Sequence, residues 1–350
     1  MALKSFIAKM QAAGSPLKES CNCSVRRGTK LPLPKAFVID EETRSTIWES
    51  DPNAFGTSDN APIHDWLSKG DINRYEVYHR FKGVIATHSG IDIKKYPSVR
   101  KHLNQFKKEL SAHQEGKRKW WESCTKGDVN LNLNMDGILC RAQSKDFGFT
   151  VDKLGTMADS NCLSIKINYQ KKPRFYASYP LLALLNSKTI AKYLAAVCPQ
   201  AKDGLYTINA EILETIPIPK ASLKEQEDLW NLGRLISHQT KLRQLEVESC
   251  FRFMKLDWSK SSDRHPLLKL WEMDDQSFLE RYPKKWLGNF HYKKKLIGKH
   301  LNSIKVAEAL VDSKVAALYG LAKPKKTSKL AVSWLKALNK HGHGINLNVL

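Results

Sequence analysis

The segment Ile216-Pro-Ile-Pro219 is the feature that most restricts how this chain can fold. Proline lacks a backbone N–H and forces the residue before it into an extended conformation, so two prolines at alternate positions exclude a helix. Long apolar stripes at helical spacing follow this segment, whereas short and mixed patterns precede it. The segment therefore predicts a hinge between two regions of different architecture.

After the hinge, the sequence predicts two long helices that pack together as an antiparallel pair. Ser222 suits the N-cap of the first helix, and Gln226 lies one position beyond the capping-box spacing. Gly320 ends the second helix. Residues 256–294 contain prolines and tryptophans and do not continue either helix. The apolar stripes consist of Leu229, Leu232, Leu235, Ile236, Leu242 and Leu245, and of Ile297, Leu301, Ile304, Ala307, Val311, Val315 and Leu318.

Before the hinge, strand and helix signals are short and alternate along the chain. The fold class is therefore α/β (α+β): a mixed β domain with flanking helices, followed by a helical region with two long helices. The individual signals are an N-terminal amphipathic helix, a strand at 36–40, a loop at 50–62, a strand at 84–86, a helix after Pro97, short β segments over 126–180 and a helix from Pro180.

The charge balance is the strongest compositional signal. Lys and Arg total 57 against 35 acidic residues, which gives a formal net charge of +22 and a pI of about 9.6. Such an excess creates a positive field that favours a polyanionic partner, above all nucleic acid. A generic basic surface or a ribosome-associated protein has the same balance, so charge alone does not select among them.

Cysteine use and hydropathy predict a cytoplasmic protein without a membrane partner. The seven cysteines include one close pair, Cys21 and Cys23, whose spacing is not that of a zinc site. They are expected to be reduced thiols. The N-terminus lacks a signal-peptide apolar stretch, and no apolar run approaches membrane-spanning length.

Motifs for catalysis are missing from the sequence. An adenine-N6 methyltransferase needs a glycine-rich cofactor turn and an Asn/Asp-Pro-Pro-Tyr/Phe tetrapeptide, but the nearest match, Asp51-Pro52-Asn53, lacks the second proline and the aromatic residue. Phosphate-binding loops and a convincing magnesium nuclease cluster are also absent. His341-Gly-His343 has no further ligand nearby in the sequence. We therefore expect no catalysis by this chain alone, and neither cofactor nor metal.

Residues 91–122 form a densely cationic run that ends in Trp120-Trp121. Such a run can neutralise several phosphates, and Asn, Arg and Gln between 130 and 145 carry the paired donors and acceptors that read base edges. The alternative for the cationic run is a solvated lysine-rich helix face with tryptophans in the core; we favour the core for each tryptophan and DNA contact for the run as a whole. The alternative for the base-reading residues is an Asn-rich turn. The predicted DNA-binding residues are Arg26, Arg27, Lys30, Arg74, Lys82, Lys94, Lys95, Arg100, Lys101, Lys107, Lys108, Lys117, Arg118, Lys119, Asn132, Arg141 and Gln143.

Several weak motifs occur in an order and spacing that together resemble one family. They are Arg27-Gly28, Ala36 to Asp40, Gly70 to Tyr75, Tyr96-Pro97 to Leu110, Lys119 to Glu122, Leu184 to Lys188, Ile216 to Pro219 and Val311 to Leu321. Together they cover about 22–322 and resemble the TaqI-like C-terminal specificity domain. That domain occurs in adenine-N6 DNA methyltransferases and in fused type IIG restriction–modification enzymes.

The resemblance implies a specificity subunit of a restriction–modification system. Residues 22–215 would recognise a short duplex DNA sequence, and residues 216–322 would form a helical spacer. A separate adenine-N6 methyltransferase, with or without a nuclease, would dock on the helices at 222–256 and 295–319. Residues 1–21 would be an N-terminal extension and 323–350 a basic tail. The catalytic domain that normally precedes this region is not in the sequence.

Two departures from the family pattern affect the expected DNA contacts. Leu31, Pro32 and Pro34 replace the usual Thr-Gly and Asn positions, which puts in doubt the backbone approach made by this turn. His113 stands where arginine is common, so one phosphate contact is in doubt.

Two alternatives stay open at this point. The chain could be a fragment of a split adenine-specific methyltransferase, or it could be an RNA-binding or ribosome-associated protein. Copurification with a catalytic partner and competition between duplex DNA and structured RNA distinguish these readings.

Overall fold

The computed structural model describes residues 3–56, 58, 60–113, 116, 118–130, 137–152, 156–168, 178–258, 261 and 265–323. The helices in these ranges are α1 (Leu3–Ala13), α2 (Leu17–Ser20), α3 (Pro34–Phe37), α4 (Glu41–Ser50), α5 (Pro97–Asn104), α6 (Lys107–Ala112), α7 (Lys126–Asn130), α8 (Ser178–Leu185), α9 (Lys188–Val197), α10 (Ala210–Glu214), α11 (Leu223–Phe253), α12 (Asp275–Leu279) and α13 (Leu287–Leu318). Short 3-10 helices lie at Pro52–Ala54, Lys69–Asp71, Ile93–Lys95, Pro266–Glu272 and Lys284–Trp286.

The described strands are short. They are β1 (Gly14–Pro16), β2 (Cys23–Arg27), β3 (Val38–Ile39), β4 (Ile63–Leu67), β5 (Gly83–Ile85), β6 (Gly137–Arg141), β7 (Gln143–Ser144), β8 (Phe149–Asp152), β9 (Met157–Ala158), β10 (Cys162–Ile167), β11 (Tyr206–Thr207) and β12 (Pro217–Pro219).

Within the described residues, two four-stranded sheets organise the region before the hinge. The first has the order β2-β10-β6-β8 and is antiparallel throughout. The second has the order β3-β5-β4-β9, in which β9 runs parallel to β4. Helices flank both sheets, so the predicted α+β class is confirmed.

The segment 216–219, which the sequence predicts to be a hinge, is extended, as its prolines require. β12 pairs with β1 in an antiparallel ribbon, with Gly14 opposite Pro219 and Pro16 opposite Pro217. The N-terminal helix α1 packs into the core that also contains Ile218 of this ribbon, through the buried side chains of Phe6 and Met10. The two ends of the region before the hinge therefore meet at this ribbon.

The two long helices are antiparallel neighbours, as predicted. Three side-chain contacts join them in reversed order: Asp228 with Lys314, Gln239 with His300, and Glu246 with Lys293. The N-terminal capping box of α11 uses Ser222 and Glu225, so Glu225 and not Gln226 is the capping residue. The second helix also begins earlier than expected, at Leu287.

The long helices contribute to two different cores. Leu229 and Leu232 of α11, with Val311 and Val315 of α13, are buried against the first sheet and α8. The other ends of both helices form a separate core with Pro266–Glu272 and α12. The second sheet packs with α5 and the segment around Trp121 in a further core. One end of the helical pair is thus integrated with the first sheet.

Some predicted elements differ in their limits for local reasons. The strand expected at 36–40 starts at Val38, because Pro34 begins the short helix α3 and carries it to Phe37. The helix after Pro97 is interrupted at Gln105 and Phe106 and divides into α5 and α6.

Candidate nucleic-acid interface

Arg26 and Arg27 lie at the end of β2, the edge strand of the first sheet. Cys23 and Val25 face the core, whereas both arginines are exposed. Edge strands commonly carry charged side chains because their outer side meets solvent. The strand therefore ends in two exposed arginines, both of which line one cavity.

Gly28 fixes the chain immediately after these arginines. A Cβ atom at this position would lie 2.1 Å from the Asp159 carbonyl oxygen and 2.5 Å from that of Ala158. The Gly28 amide donates to the Cys162 carbonyl at 3.0 Å, and the Thr29 amide donates to Ala158 at 2.8 Å. The chain at Gly28 therefore passes directly against the backbone of residues 158–159, and no side chain fits at this position.

The opposite wall is the segment 118–128, which is anchored to the second sheet. The Ser123 amide donates to the Thr87 carbonyl at 2.8 Å, and the Ser123 hydroxyl donates to the Ile85 carbonyl at 2.8 Å. Trp121 is buried in the core, as predicted, and the Lys119 ammonium lies 5.1 Å from its ring centroid. This packing presents Lys119 and Arg118 at the surface.

The two walls enclose adjoining cavities of about 620 and 220 Å³. Asp128 lines both, so they form one surface, which we call the basic groove and define by Arg26, Arg27, Lys30, Arg118 and Lys119. Glu122 and Asp128 are its carboxylates, and Asp128 accepts hydrogen bonds from the amide and hydroxyl of Thr125 at 2.8 Å. Clustered cations of this kind bind phosphates and release condensed counterions.

Ser164 is a groove residue that the sequence did not reveal. It faces Arg26 across the β2–β10 pair, and its hydroxyl is buried without a hydrogen-bond partner in the described part of the chain. A buried hydroxyl without a partner is costly, so it favours an incoming acceptor or donor. Strand alternation gives the residues of β10 that share a face with Ser164, but only the register of the β2–β10 pair places Ser164 opposite Arg26.

Other predicted cations lie on the helical side of the second sheet. They are exposed, and they occupy the 3-10 helix at Ile93–Lys95 and the helices α5 and α6. The Lys107 ammonium lies 5.6 Å from the ring centroid of Trp120, and that ring lines the basic groove. The remaining members of this set are Lys94, Lys95, Arg100, Lys101 and Lys108.

Four predicted residues lie away from the basic groove. Arg74 pairs with Glu308 at 2.8 Å and donates to the Asn186 carbonyl, while Arg141 Nε donates to Ile72 at 3.0 Å. Lys82 lines a different cleft. Gln143 is exposed on a two-stranded ribbon, opposite Thr207.

Two of the predicted DNA-binding residues are not among the described residues. Lys117 and Asn132 lie outside the described residues, as do Asn134 and the His341–His343 pair. Asn130 ends the helix α7, so the range 126–180, predicted to contain short β segments, begins with a helix.

The cysteines are poor candidates for chemistry. All seven are free and buried, and burial raises the pKa of each thiol, to about 12 at Cys124 and about 11 at Cys198. Thiols in such surroundings stay protonated and are weak nucleophiles.

Among the described residues, no group of three or more His, Cys, Asp or Glu side chains could hold a metal ion. No described helix is long and apolar enough to cross a membrane.

Comparison with protein families identifies the region that contains half of the groove. Residues 69–218 match the TaqI-like C-terminal specificity domain. The resemblance read from the sequence is confirmed over this range, which includes Arg118 and Lys119 but not Arg26, Arg27 or Lys30.

Comparison with solved structures gives a more distant similarity. The type IIL restriction–modification enzyme MmeI in complex with DNA is 11% identical, with a TM-score of 0.41. The similarity covers 93% of this chain and 36% of that one, so this chain spans about a third of that protein. No curated protein matches the sequence.

Proposed function

We propose that this chain recognises duplex DNA as a specificity subunit of a restriction–modification system. The observation that carries the proposal is the match of residues 69–218 to a specificity domain. The basic groove supports it, since two walls from different sheets place exposed arginines and lysines around one groove. In this proposal the groove contacts phosphates and so sets the position of the DNA.

The chain would act by delivering DNA to a separate adenine-N6 methyltransferase, with or without a nuclease. This division of labour rests on the match of residues 69–218 to a specificity domain. Residues 22–215 would recognise the DNA and 216–322 would form the docking region, with the partner on the exposed faces of α11 and α13. The chain would work in the cytoplasm, where it meets both partners.

Binding of fluorescent duplex DNA as a function of salt tests the proposal. The double variant Arg26→Ala/Arg27→Ala should lower duplex affinity about 10-fold and reduce the magnitude of the slope of log K against log salt by about 2. Each lost cation removes one phosphate contact, so fewer condensed counterions leave the DNA on binding. Lys284→Ala/Lys285→Ala removes the same charge from an exposed pair outside the groove and should leave both values nearly unchanged.

Competition and copurification complete the test. Structured RNA should compete less well than duplex DNA, and a methyltransferase should copurify from the host. A chain that shows no salt-sensitive preference for duplex DNA would contradict the proposal. Preference for RNA would favour the RNA-binding alternative instead.

A further inference from the structure

A second cationic cavity lies between the region before the hinge and the long helices. Its volume is about 800 Å³. The segment 70–78 and Arg141 line it from one side, and α11, α13 and residues 265–271 line it from the other. We call it the seam cavity. Among the described residues, none lines both this cavity and the basic groove.

The seam cavity is positively charged. Among the described residues that line it, five are Lys or Arg and two are carboxylates, Asp146 and Glu308. Glu308 is neutralised by Arg74, at 2.8 Å, and Asp146 accepts a hydrogen bond from Ser144. The remaining cations are Arg141, Arg243, Lys269 and Lys305, of which Lys269 pairs with Glu272 at 3.5 Å. A wall of this composition attracts anions.

Arg243 is the residue that points most directly to a ligand. Its guanidinium lies 5.0 Å from the ring centroid of Trp271. Its Nε is buried and has no hydrogen-bond partner within the described ranges. Buried donors of this kind are normally satisfied, and a guanidinium is well suited to bind phosphate oxygens.

Aromatic side chains line the same cavity. Trp271 is half-buried, and Tyr78 also lines the cavity. Aromatic rings are stacking surfaces for nucleic-acid bases, and cations beside them bind the attached phosphates. The cavity volume falls within the range of about 300–1,000 Å³ that small-molecule sites occupy.

We propose that the seam cavity binds a nucleoside phosphate, with the base against Trp271 and the phosphate at Arg243 and Lys305. The nucleotide would be either free or part of a nucleic-acid strand, since both offer the same chemistry. This site extends beyond the proposed function because it needs neither the basic groove nor sequence recognition. A bound nucleotide would contact both the segment around Arg74 and the long helices, and so would join the two regions.

Calorimetric titration of the full chain with adenosine 5′-monophosphate tests the proposal, with adenosine and inorganic phosphate as partial probes. The monophosphate should bind at least about 10-fold more tightly than either probe, because it makes both kinds of contact. Arg243→Ala, Lys305→Ala and Trp271→Leu should each weaken binding, whereas Lys295→Ala, an exposed lysine of α13 outside the cavity, should not. Thermal unfolding of each variant checks that it is folded.

Single-stranded and duplex oligonucleotides form the second arm and identify the source. Oligonucleotide binding that weakens in Arg243→Ala and Lys305→Ala, without binding of the monophosphate, would support a nucleotide within a strand. If folded variants leave both kinds of binding unchanged, or the wild-type chain binds neither probe, the proposal is wrong. The two proposals can fail separately. A chain with no preference for duplex DNA would overturn the proposed function, whereas monophosphate binding that persists in that chain and in Arg26→Ala/Arg27→Ala would leave the seam-cavity proposal standing.

Discussion

Two cavities of nearly equal volume lie on different faces of α11 and differ in charge. The seam cavity, of about 800 Å³, is lined mainly by cations. The other cavity, of about 810 Å³, lies between α4, β4 and α11. Its described lining contains Glu41, Glu49, Asp65, Glu76, Asp152 and Glu248 against Arg44, Lys82 and Lys241. We call it the acidic cleft.

The acidic cleft is organised to keep its carboxylates in place. Arg44 pairs with Asp65 at 2.6 Å, and its guanidinium lies 5.8 Å from the Phe55 ring centroid. Burial raises the pKa of Glu248, whose carboxylate accepts a hydrogen bond from Gln244 at 3.0 Å. A phosphate chain entering this cleft would meet more carboxylates than cations. The positive charge of the chain is therefore distributed unevenly around α11. The side of α11 that lines the seam cavity favours a polyanion, and the side that lines the acidic cleft does not.

The same short segment contributes to both cavities. Residues 70–78 line the seam cavity, and residues 76–82 line the acidic cleft. Asp71 and Arg80 hold this segment together through an ion pair of 2.6 Å, with only 1% and 4% of their side chains exposed. The segment that both cavities share is therefore held by one buried ion pair.

The largest expected effect follows from removing this pair. Arg80→Met leaves the Asp71 carboxylate buried without its cation and should lower the free energy of unfolding by about 3–5 kcal/mol. Urea denaturation measures the loss. The control Arg44→Met breaks the partly exposed pair with Asp65 and should cost less than about 1 kcal/mol. Equal losses in the two variants would show that burial does not distinguish the pairs.

The next effect concerns the position of α11, which both cavities share as a wall. In Gly233→Ala the new Cβ would lie 2.5 Å from the Tyr179 carbonyl oxygen, so the helix must shift and should lose about 1–3 kcal/mol of stability. Gly298→Ala in α13 meets no atom within 4 Å and should gain up to about 1 kcal/mol. Thermal unfolding compares them. Similar shifts in both variants would contradict the close approach of α11 and α8.

A smaller effect should follow from reversing charge in the acidic cleft. Glu41 and Glu49 are exposed on α4. The double variant Glu41→Lys/Glu49→Lys should raise non-specific duplex affinity about 5-fold at low salt, because it adds phosphate-binding charge. Fluorescence anisotropy measures the change, with Glu41→Gln/Glu49→Gln as a control of half the charge change and a smaller expected gain. An unchanged affinity in the lysine variant would mean that shape, not charge, excludes DNA.

The smallest effect is a dependence of stability on pH. Burial lowers the pKa of His79 in the acidic cleft and of His265 in the seam cavity. The unfolded chain protonates these residues near their ordinary pKa of 6.5, whereas the folded chain resists protonation until lower pH. Stability should therefore be complete above about pH 6.5 and fall on acidification below it.

Urea midpoints at pH 7.5 and pH 5.5 measure this dependence. His79→Gln and His265→Gln should each reduce the difference between the two midpoints. If the difference is the same in both variants and in the wild-type chain, neither histidine contributes to the pH response.

Local chemistry made much of the architecture predictable from sequence. The prolines at 217 and 219 require an extended segment whatever surrounds them, and the stripes before Gly320 require buried helix faces, because backbone geometry and apolar periodicity act over a few residues. The order of the motifs around Tyr96 and Trp121 was sufficient to suggest a specificity domain, which the family match over 69–218 confirms. Net charge of +22 indicated a polyanionic partner.

Tertiary structure alone decided which charges lie together. Arg27 and Arg118 line one groove although 91 positions separate them, because Gly28 passes from one sheet to the other beside the segment anchored by Ser123. Arg74, predicted to bind DNA, pairs with Glu308 of a helix that begins far along the chain. A charge takes its role from its neighbours in space, and those neighbours depend on sheet register and helix packing, which composition and spacing do not encode.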